Sequence, residues 1–278
     1  MKTAKWKRRI IDVIVYILLI ALAIICILPF YFMMINATHS TNELYTGLQL
    51  LPGKNIIENL NNLISRVNMG RGFINSFFVT GCSTVLSIYF GVMTAYGLFE
   101  YQFKLRKPIY TILMCSMMIP GQLGIIGLFR LCKTLNILDS YIPLILPTIA
   151  NGSTIFFLIQ YMRSTLDEEI MESARMDGAS EIAILHALVI PLCKPAIATQ
   201  AIFNFVSYWN NFLTPMILLF DDKKFTVPLL VNNLNNGMLQ DLGAKYAAIA
   251  ISIIPIILVY IFISRYITEG MMGGAVKG

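Results

Sequence analysis

Long apolar runs, rather than alternation, dominate this chain. Six charge-free stretches are each long enough to cross a bilayer, which takes about 20 helical residues. Trimmed of their polar ends, they predict helices over 13–34, 73–98, 109–130, 142–162, 196–219 and 246–265. The polar segments between them are short. None exceeds about 40 residues, below the roughly 50-residue floor of an independent domain. The expected architecture is therefore an all-α polytopic membrane protein. Residues 1–12 form one tail, 13–266 a six-helix membrane domain with a 163–194 loop, and 267–278 a second tail. A cleaved leader competes for the N-terminus, because Lys2, Lys5, Lys7, Arg8 and Arg9 precede the first apolar run. That run is about 22 residues long, against 7–15 for a leader's apolar region, which favours an uncleaved first span.

Composition agrees with a fold in lipid. Charged residues make up 13% of the 278 residues and apolar types 57%, where soluble proteins carry roughly 25% charged residues. The net charge of +6 is informative by position. The N-terminal tail, the 100–108 turn, the 163–194 loop and the C-terminal end hold 13 Lys and Arg, and the opposite side holds 8 over a greater loop length. The positive-inside rule then makes both termini cytoplasmic and turns 35–72 and 221–245 outward, as for a multi-pass protein of the plasma membrane. Cys26, Cys82, Cys115, Cys132 and Cys193 share no paired spacing, and only His39 and His186 offer imidazoles. Neither a disulfide framework nor a zinc site is supported, and nucleic acid is not an expected partner.

The span interiors lack ionisable groups: Asp12, Arg130 and Arg265 lie at edges. A proton- or voltage-driven machine needs such groups inside the membrane. No GxxxxGK[ST] motif is present to cradle ATP phosphates, and no HExxH or carboxylate pair suits an intramembrane protease. Uphill transport would thus draw its energy from another polypeptide; a passive six-span channel or scaffold is the alternative. Neutral polar residues do occur in the spans, including Asn75, Ser76, Thr80, Ser83, Ser87, Gln122, Asn204 and Asn151-Gly152-Ser153-Thr154. They suit either interhelical hydrogen bonding or a path for an uncharged polar solute. Tyr208-Trp209-Asn210-Asn211-Phe212 is the best candidate for a path, since aromatic faces beside amides suit sugar rings. The competing reading of its Tyr-Trp pair is an interfacial anchor.

The loop between the fourth and fifth spans is the most specific feature. Thr165 and Glu168 stand at capping-box spacing, Asp167 to Glu169 suit a helix N-terminus, and Leu166, Ile170, Met171 and Ala174 form an apolar stripe at helical spacing. Gly178 is placed to end this helix in a left-handed conformation. A second amphipathic stretch, 182–190, runs on to Pro191 and Pro195. Two features are odd for a solvated loop: Glu168 and Glu172 are like charges at i,i+4, and the stripe has no domain to bury it. Both fit docking of the helix into a groove on another protein. A helix lying on the bilayer is the alternative, but acidic residues are repelled by anionic headgroups.

The series Glu172-Ser173-Ala174-x-x-Asp177-Gly178-Ala179, followed by Ile190-Pro191, resembles the EAA loop of the membrane subunits of bacterial ABC importers, with Glu-Ser-Ala in place of Glu-Ala-Ala. Asn75-Ser76, Ala95-Tyr96-Gly97-Leu98, Tyr208-Trp209-Asn210-x-Phe212 and the Gly273-Gly274-Ala275-Val276-Lys277-Gly278 tail are similar to the carbohydrate branch, typified by the maltose permease G component. The resemblance implies a type I ABC importer permease fold that pairs with a second homologous permease, two ATPase subunits and an extracellular solute-binding protein. ATP and Mg would then belong to the ATPase, leaving this chain no cofactor and no catalytic residue. It further implies that Glu172, Ser173, Ala174, Asp177, Gly178, Ala179 and Pro191 couple to the ATPase and that Ala275, Val276 and Lys277 reach it. Loop 221–245 would approach the binding protein. Tyr208, Trp209, Asn210, Asn211 and Asn151 are the candidate path for a sugar, expected to be a di- or oligosaccharide. The same machine could serve another solute, such as glycerol phosphate or a polyamine.

Overall fold

The computed structural model describes residues 2–234 and 241–275, and among these no strand occurs. In chain order the helices are α1 (Lys2–Asn36), α2 (Thr41–Thr46), α3 (Ile56–Arg66), α4 (Met69–Glu100), α5 (Arg106–Met118), α6 (Ile125–Thr134), α7 (Ile142–Ile145) and α8 (Gly152–Thr165). They continue with α9 (Glu168–Met176), α10 (Glu181–Ile184), α11 (Ile190–Leu192), α12 (Lys194–Trp209), α13 (Leu213–Leu218), α14 (Val227–Asn233) and α15 (Leu242–Ala275). Four segments are long and apolar enough to cross a membrane: Ile11–Asn36, Met69–Glu100, Ile142–Thr165 and Leu242–Ser264. The number rises to six if each of two bent pairs is one span.

Proline explains where the expected spans break. The predicted 109–130 helix is two helices, α5 and the α6 segment, bent by 96°. Ile119 precedes Pro120 and is extended at ψ 120, because the proline ring disfavours the α conformation in the residue before it. The predicted 196–219 helix stops at Trp209 and resumes as α13. Pro215, inside an unbroken helix there, would clash with the carbonyl four residues back; in α13 it occupies the first turn. The predicted 142–162 helix is interrupted by a 3₁₀ stretch, Leu146–Ala150. Asn151 then restarts the helix as an N-cap, its side chain accepting from the Thr154 amide at 3.2 Å.

The chain divides into two compact units. One comprises residues 1–68 and 231–253. Its polar segment is tied down by side chains. Ser40 and Glu43 form a reciprocal capping box on α2, and the buried Asn59 amide donates to the carbonyls of Ala37 (2.8 Å) and His39 (2.9 Å). The His39 ring meets Glu43 and the Leu51 carbonyl, both at 2.8 Å. A Cβ on Gly243 would come within 2.5 Å of Asn59 Oδ1, so only glycine fits that approach. None of the apolar window within 11–36 is buried.

The second unit, residues 69–230 and 254–278, holds the main core. In it α4 packs against α8 and α12. Val92, Ala95, Leu158, Met162, Val189 and Cys193 are all buried there. Close packing is permitted by small residues: a Cβ on Gly91 would lie 3.0 Å from the Thr154 methyl. Such contacts matter in lipid, where apolar burial by itself gives helices no reason to associate.

Candidate functional site

The 163–194 loop folds as a helix, a glycine elbow and a second helical stretch. α9 starts at Asp167, whose carboxylate accepts from the Glu169 amide at 3.2 Å. The expected Thr165–Glu168 capping box is therefore replaced: Thr165 is the last residue of α8. Gly178 has φ +82°, with open space where a side chain would be. Its glycine requirement is conformational, since an L side chain is strained in that region. The turn is closed by the Ala179 amide on the Ala174 carbonyl and the Gly178 amide on the Arg175 carbonyl, both at 3.0 Å. Ser180 caps α10 through the Ala183 amide at 3.3 Å. A π turn, Leu185–Val189, precedes exposed Pro191, which has no N–H for a carbonyl behind it. The 181–192 stretch then meets α12 at 78°.

The apolar stripe of α9 is not left bare for a partner, contrary to expectation. Met171 is fully buried, Leu166 nearly so, and Ala174 packs against the same core as Tyr96, Ile184 and Val189. The chain covers Leu166, Met171 and Ala174 of this stripe on itself, while Ile170 stays 46% exposed. Ile170 joins an outward surface with Glu169, Glu172, Ser173, Met176 and Asp177, Met176 being 88% exposed.

Arg175 binds the elbow to the end of α4. Its Nη2 lies 2.7 Å from Glu100 Oε1 and its Nε lies 2.8 Å from Glu181 Oε1. The Tyr96 hydroxyl donates to Glu181 at 3.2 Å, and Tyr101 reaches the same carboxylate. Arg175, and then Tyr101, hold the Glu181 carboxyl down at about 2, while Glu181 and Glu100 raise the Arg175 guanidinium further. Of these residues the sequence pattern singled out only Tyr96, and that as a family likeness. Arg175 falls at an unspecified position between Ala174 and Asp177, and nothing in spacing links it to Glu100.

Of the expected path residues, Asn151 and Tyr208 come together and the others separate. Asn151 Nδ2 donates to Tyr208 Oη (2.9 Å) and to Asn204 Oδ1 (3.3 Å). Asn204 Nδ2 donates to Thr154 Oγ1 (3.0 Å) and Ser87 Oγ (3.2 Å), and Tyr208 Oη donates to Ser87 Oγ (3.2 Å). This makes a continuous polar seam through α4, α8 and α12. Trp209 instead sits in an aromatic cluster, stacked on Phe205 at 5.7 Å and edge-on to Phe77 at 4.9 Å, and is buried. Asn210 is exposed and bonds its own helix at the Val206 carbonyl. Asn211 Oδ1 accepts from the Thr214 amide at 3.3 Å in the first turn of α13, and Asn211 lines a cavity of about 10 Å³ with Tyr208, Ser83 and Thr226. The buried hydroxyls of Ser83 and Thr226 find no partner among the described residues, and a cavity of that size holds about one water.

The 221–230 stretch is pinned from two sides. Asn75 Nδ2 donates to the carbonyls of Lys223 and Phe225, both at 2.9 Å, and Ser76 Oγ accepts from the Val227 amide at 2.8 Å. Asp139 accepts from the amides of Phe220 (2.9 Å) and Asp221 (3.1 Å) and pairs with Lys224 Nζ at 2.6 Å. The Lys224 ammonium is the first cause of an Asp139 carboxyl held at about 2. Residues 235–240 of the expected binding-protein loop, and Val276 and Lys277 of the tail, lie outside the described residues; Ala275 is the last residue of α15.

Comparison with known proteins gives the family. Residues 87–273 match the family model described as "Binding-protein-dependent transport system inner membrane component". The polygalacturonan/rhamnogalacturonan transport system permease protein YtcP of Bacillus subtilis is 31% identical over 289 residues, covering 98% of this chain and 100% of the relative. The diacetylchitobiose uptake system permease protein NgcG of Streptomyces coelicolor is 31% identical over 264 residues, 94% of this chain and 87% of the relative. Among solved structures, a chain of a bacterial ABC transporter involved in import of the acidic polysaccharide alginate superposes with a TM-score of 0.79. It is 25% identical, and the match covers 93% of this chain and 96% of that one.

Proposed function

The chain belongs to the family of binding-protein-dependent transport system inner membrane components, and we propose that it is one of two permease halves of an ATP-driven oligosaccharide importer. The observation that carries the reading is the elbow. A short acidic helix turns its polar face outward, is hinged at left-handed Gly178, and is ion-paired through Arg175 to the end of α4. Displacement of α9 would be passed through Met171 and the Arg175–Glu100 pair into α4, α8 and α12, the helices that carry the polar seam.

In this account there are six spans, the third running through the bent α5–α6 pair and the fifth beginning in α12, and both termini with the 163–194 elbow face the cytoplasm. Separate ATPase subunits grip the outward face of α9 around Glu172 and Ser173, and bind the ATP and Mg themselves. The tail, Ala275 to Lys277, reaches the same subunits. The second permease covers part of the apolar surface left bare on this chain, and a binding protein delivers solute to the opposite face near the pinned 221–230 stretch. ATP closure draws the elbows together and opens the spans outward; hydrolysis resets them. The names of the relatives support an oligosaccharide cargo. The seam supports it chemically, since Asn151, Asn204 and Tyr208 offer neutral donors and acceptors of the kind sugar hydroxyls use.

The test is uptake of a labelled oligosaccharide panel into vesicles holding both permeases, the ATPase and the binding protein. Uptake of at least one oligosaccharide that stops without ATP supports the proposal. Uptake by this chain alone, without nucleotide, contradicts it.

A further inference from the structure

A second pocket, unrelated to the seam, opens where α4 ends and α5 begins. It has a volume of about 450 Å³, and four cations line it: Lys104, Arg106, Lys107 and Arg163. No carboxylate is among the lining residues. Arg106 is fixed in place, its Nε donating to the Leu98 carbonyl at 2.8 Å and its Nη2 to the Phe99 carbonyl at 2.9 Å. These bonds use two of its five N–H donors. Lys104, Lys107 and Arg163 are exposed, and none forms an ion pair with a described residue. Four positive charges are thus gathered without a counter-ion among the described residues. Left so, they repel one another.

The position of the pocket selects the class of counter-ion. α4 ends at Glu100, α5 begins at Arg106 and α8 ends at Thr165, so the cations sit where three membrane helices leave the hydrocarbon. Buried Leu98 and Ile159 line the same pocket. Phe103 and Leu105, 43% and 60% exposed, flank it with apolar surface. A soluble anion would use only the cations. A lipid would use both parts, its phosphate among the Lys and Arg side chains and its glycerol and upper acyl segments on the apolar residues. Basic pockets at the ends of membrane helices are suited to anionic headgroups for this reason.

We propose that this pocket binds the headgroup phosphate of an anionic phospholipid. The site is independent of which solute is carried. The test uses the full-length chain purified in detergent and titrated with phosphatidylglycerol or phosphatidylcholine, with adducts counted by native mass spectrometry. The wild type is expected to retain phosphatidylglycerol over phosphatidylcholine. Lys104→Gln/Lys107→Gln/Arg163→Gln, which leaves the structural Arg106 intact, is expected to weaken phosphatidylglycerol binding by on the order of 100-fold, about fivefold per cation, without changing phosphatidylcholine adducts. If the triple variant does not elute as a single species, Lys107→Gln alone is measured, with a roughly fivefold loss expected. Equal phosphatidylglycerol binding by wild type and variant overturns the proposal. Displacement of the lipid by millimolar inorganic phosphate overturns it too, by making this a site for a soluble anion.

Discussion

Arg175 on α9 and Glu100 at the end of α4 meet at 2.7 Å, tying the outward-facing elbow to the helix that lines the polar seam. The Glu100 side chain is only 10% exposed, against 31% for Arg175, so removing the arginine would leave a largely desolvated carboxylate without its ion-pair partner. The pair is both a structural and a mechanical tie. Arg175→Gln is expected to lower stability by about 1–3 kcal/mol, and oligosaccharide uptake per ATP hydrolysed by the folded protein to fall severalfold. Arg175→Lys, which keeps a positive charge between Glu100 and Glu181, should retain part of the ratio. The check is parallel measurement of uptake and ATPase rate on the same vesicles.

The elbow's other demand is local. Gly178 sits at φ +82° with open space around it, so substitution there is penalised by backbone conformation alone. Gly178→Ala should cost about 1–2 kcal/mol of elbow structure, and Gly178→Asn less, because Asn tolerates the left-handed region. Uptake should therefore rank glycine above asparagine above alanine. An order that follows side-chain size would contradict the conformational account.

Neighbouring residues Tyr208 and Trp209 should separate cleanly by phenotype. Tyr208→Phe removes a hydroxyl that accepts from Asn151 at 2.9 Å, and the expected effect is a higher KM for sugar with folding nearly unchanged. Trp209→Ala deletes the centre of a buried aromatic cluster, which should cost about 3–5 kcal/mol and appear as lost protein. Transport kinetics beside quantitative immunoblotting distinguish the two.

The elbow clamp has a definite pH response. Glu181 is held at about 2, against an ordinary 4.5, chiefly by Arg175. A depressed carboxyl contributes to the docked state above about pH 4.5, and that contribution is lost as pH falls toward 2. Pepsin cleavage within 163–194 in membrane vesicles, taken as a ratio to cleavage of an unstructured reference peptide at each pH because pepsin itself titrates in this range, should rise as pH falls across that interval. In Glu181→Gln the same ratio should be high throughout and nearly flat with pH.

The membrane class was legible because lipid demands long uninterrupted apolar runs, and such runs are visible without partners. The helix breaks were only half legible. Pro120 and Pro215 are plain in the sequence, yet a membrane helix can absorb a proline as a kink, so their presence alone does not separate a bend from a break. The α9 stripe misled for a different reason. Periodicity identifies an apolar face but not its cover, and Leu166 and Met171 turn out to be covered by Val92, Tyr96 and Val189 of the same chain. Asn75 and Ser76 stood out in the sequence as neutral polar span residues and as a family likeness. Their work is to pin the 223–227 backbone, a contact too remote in sequence for any local pattern to announce.

The central claim is that the outward face of α9 is held by a nucleotide-hydrolysing partner. Met176, 88% exposed on that face, is the place to ask. A photo-crosslinking amino acid at position 176, irradiated in membranes containing the assembled transporter, should yield a covalent adduct with the ATPase subunit that diminishes in Glu172→Lys. Adducts with lipid alone, or an ATPase adduct of equal yield from a position expected on the opposite, extracellular side such as 222, would contradict the account.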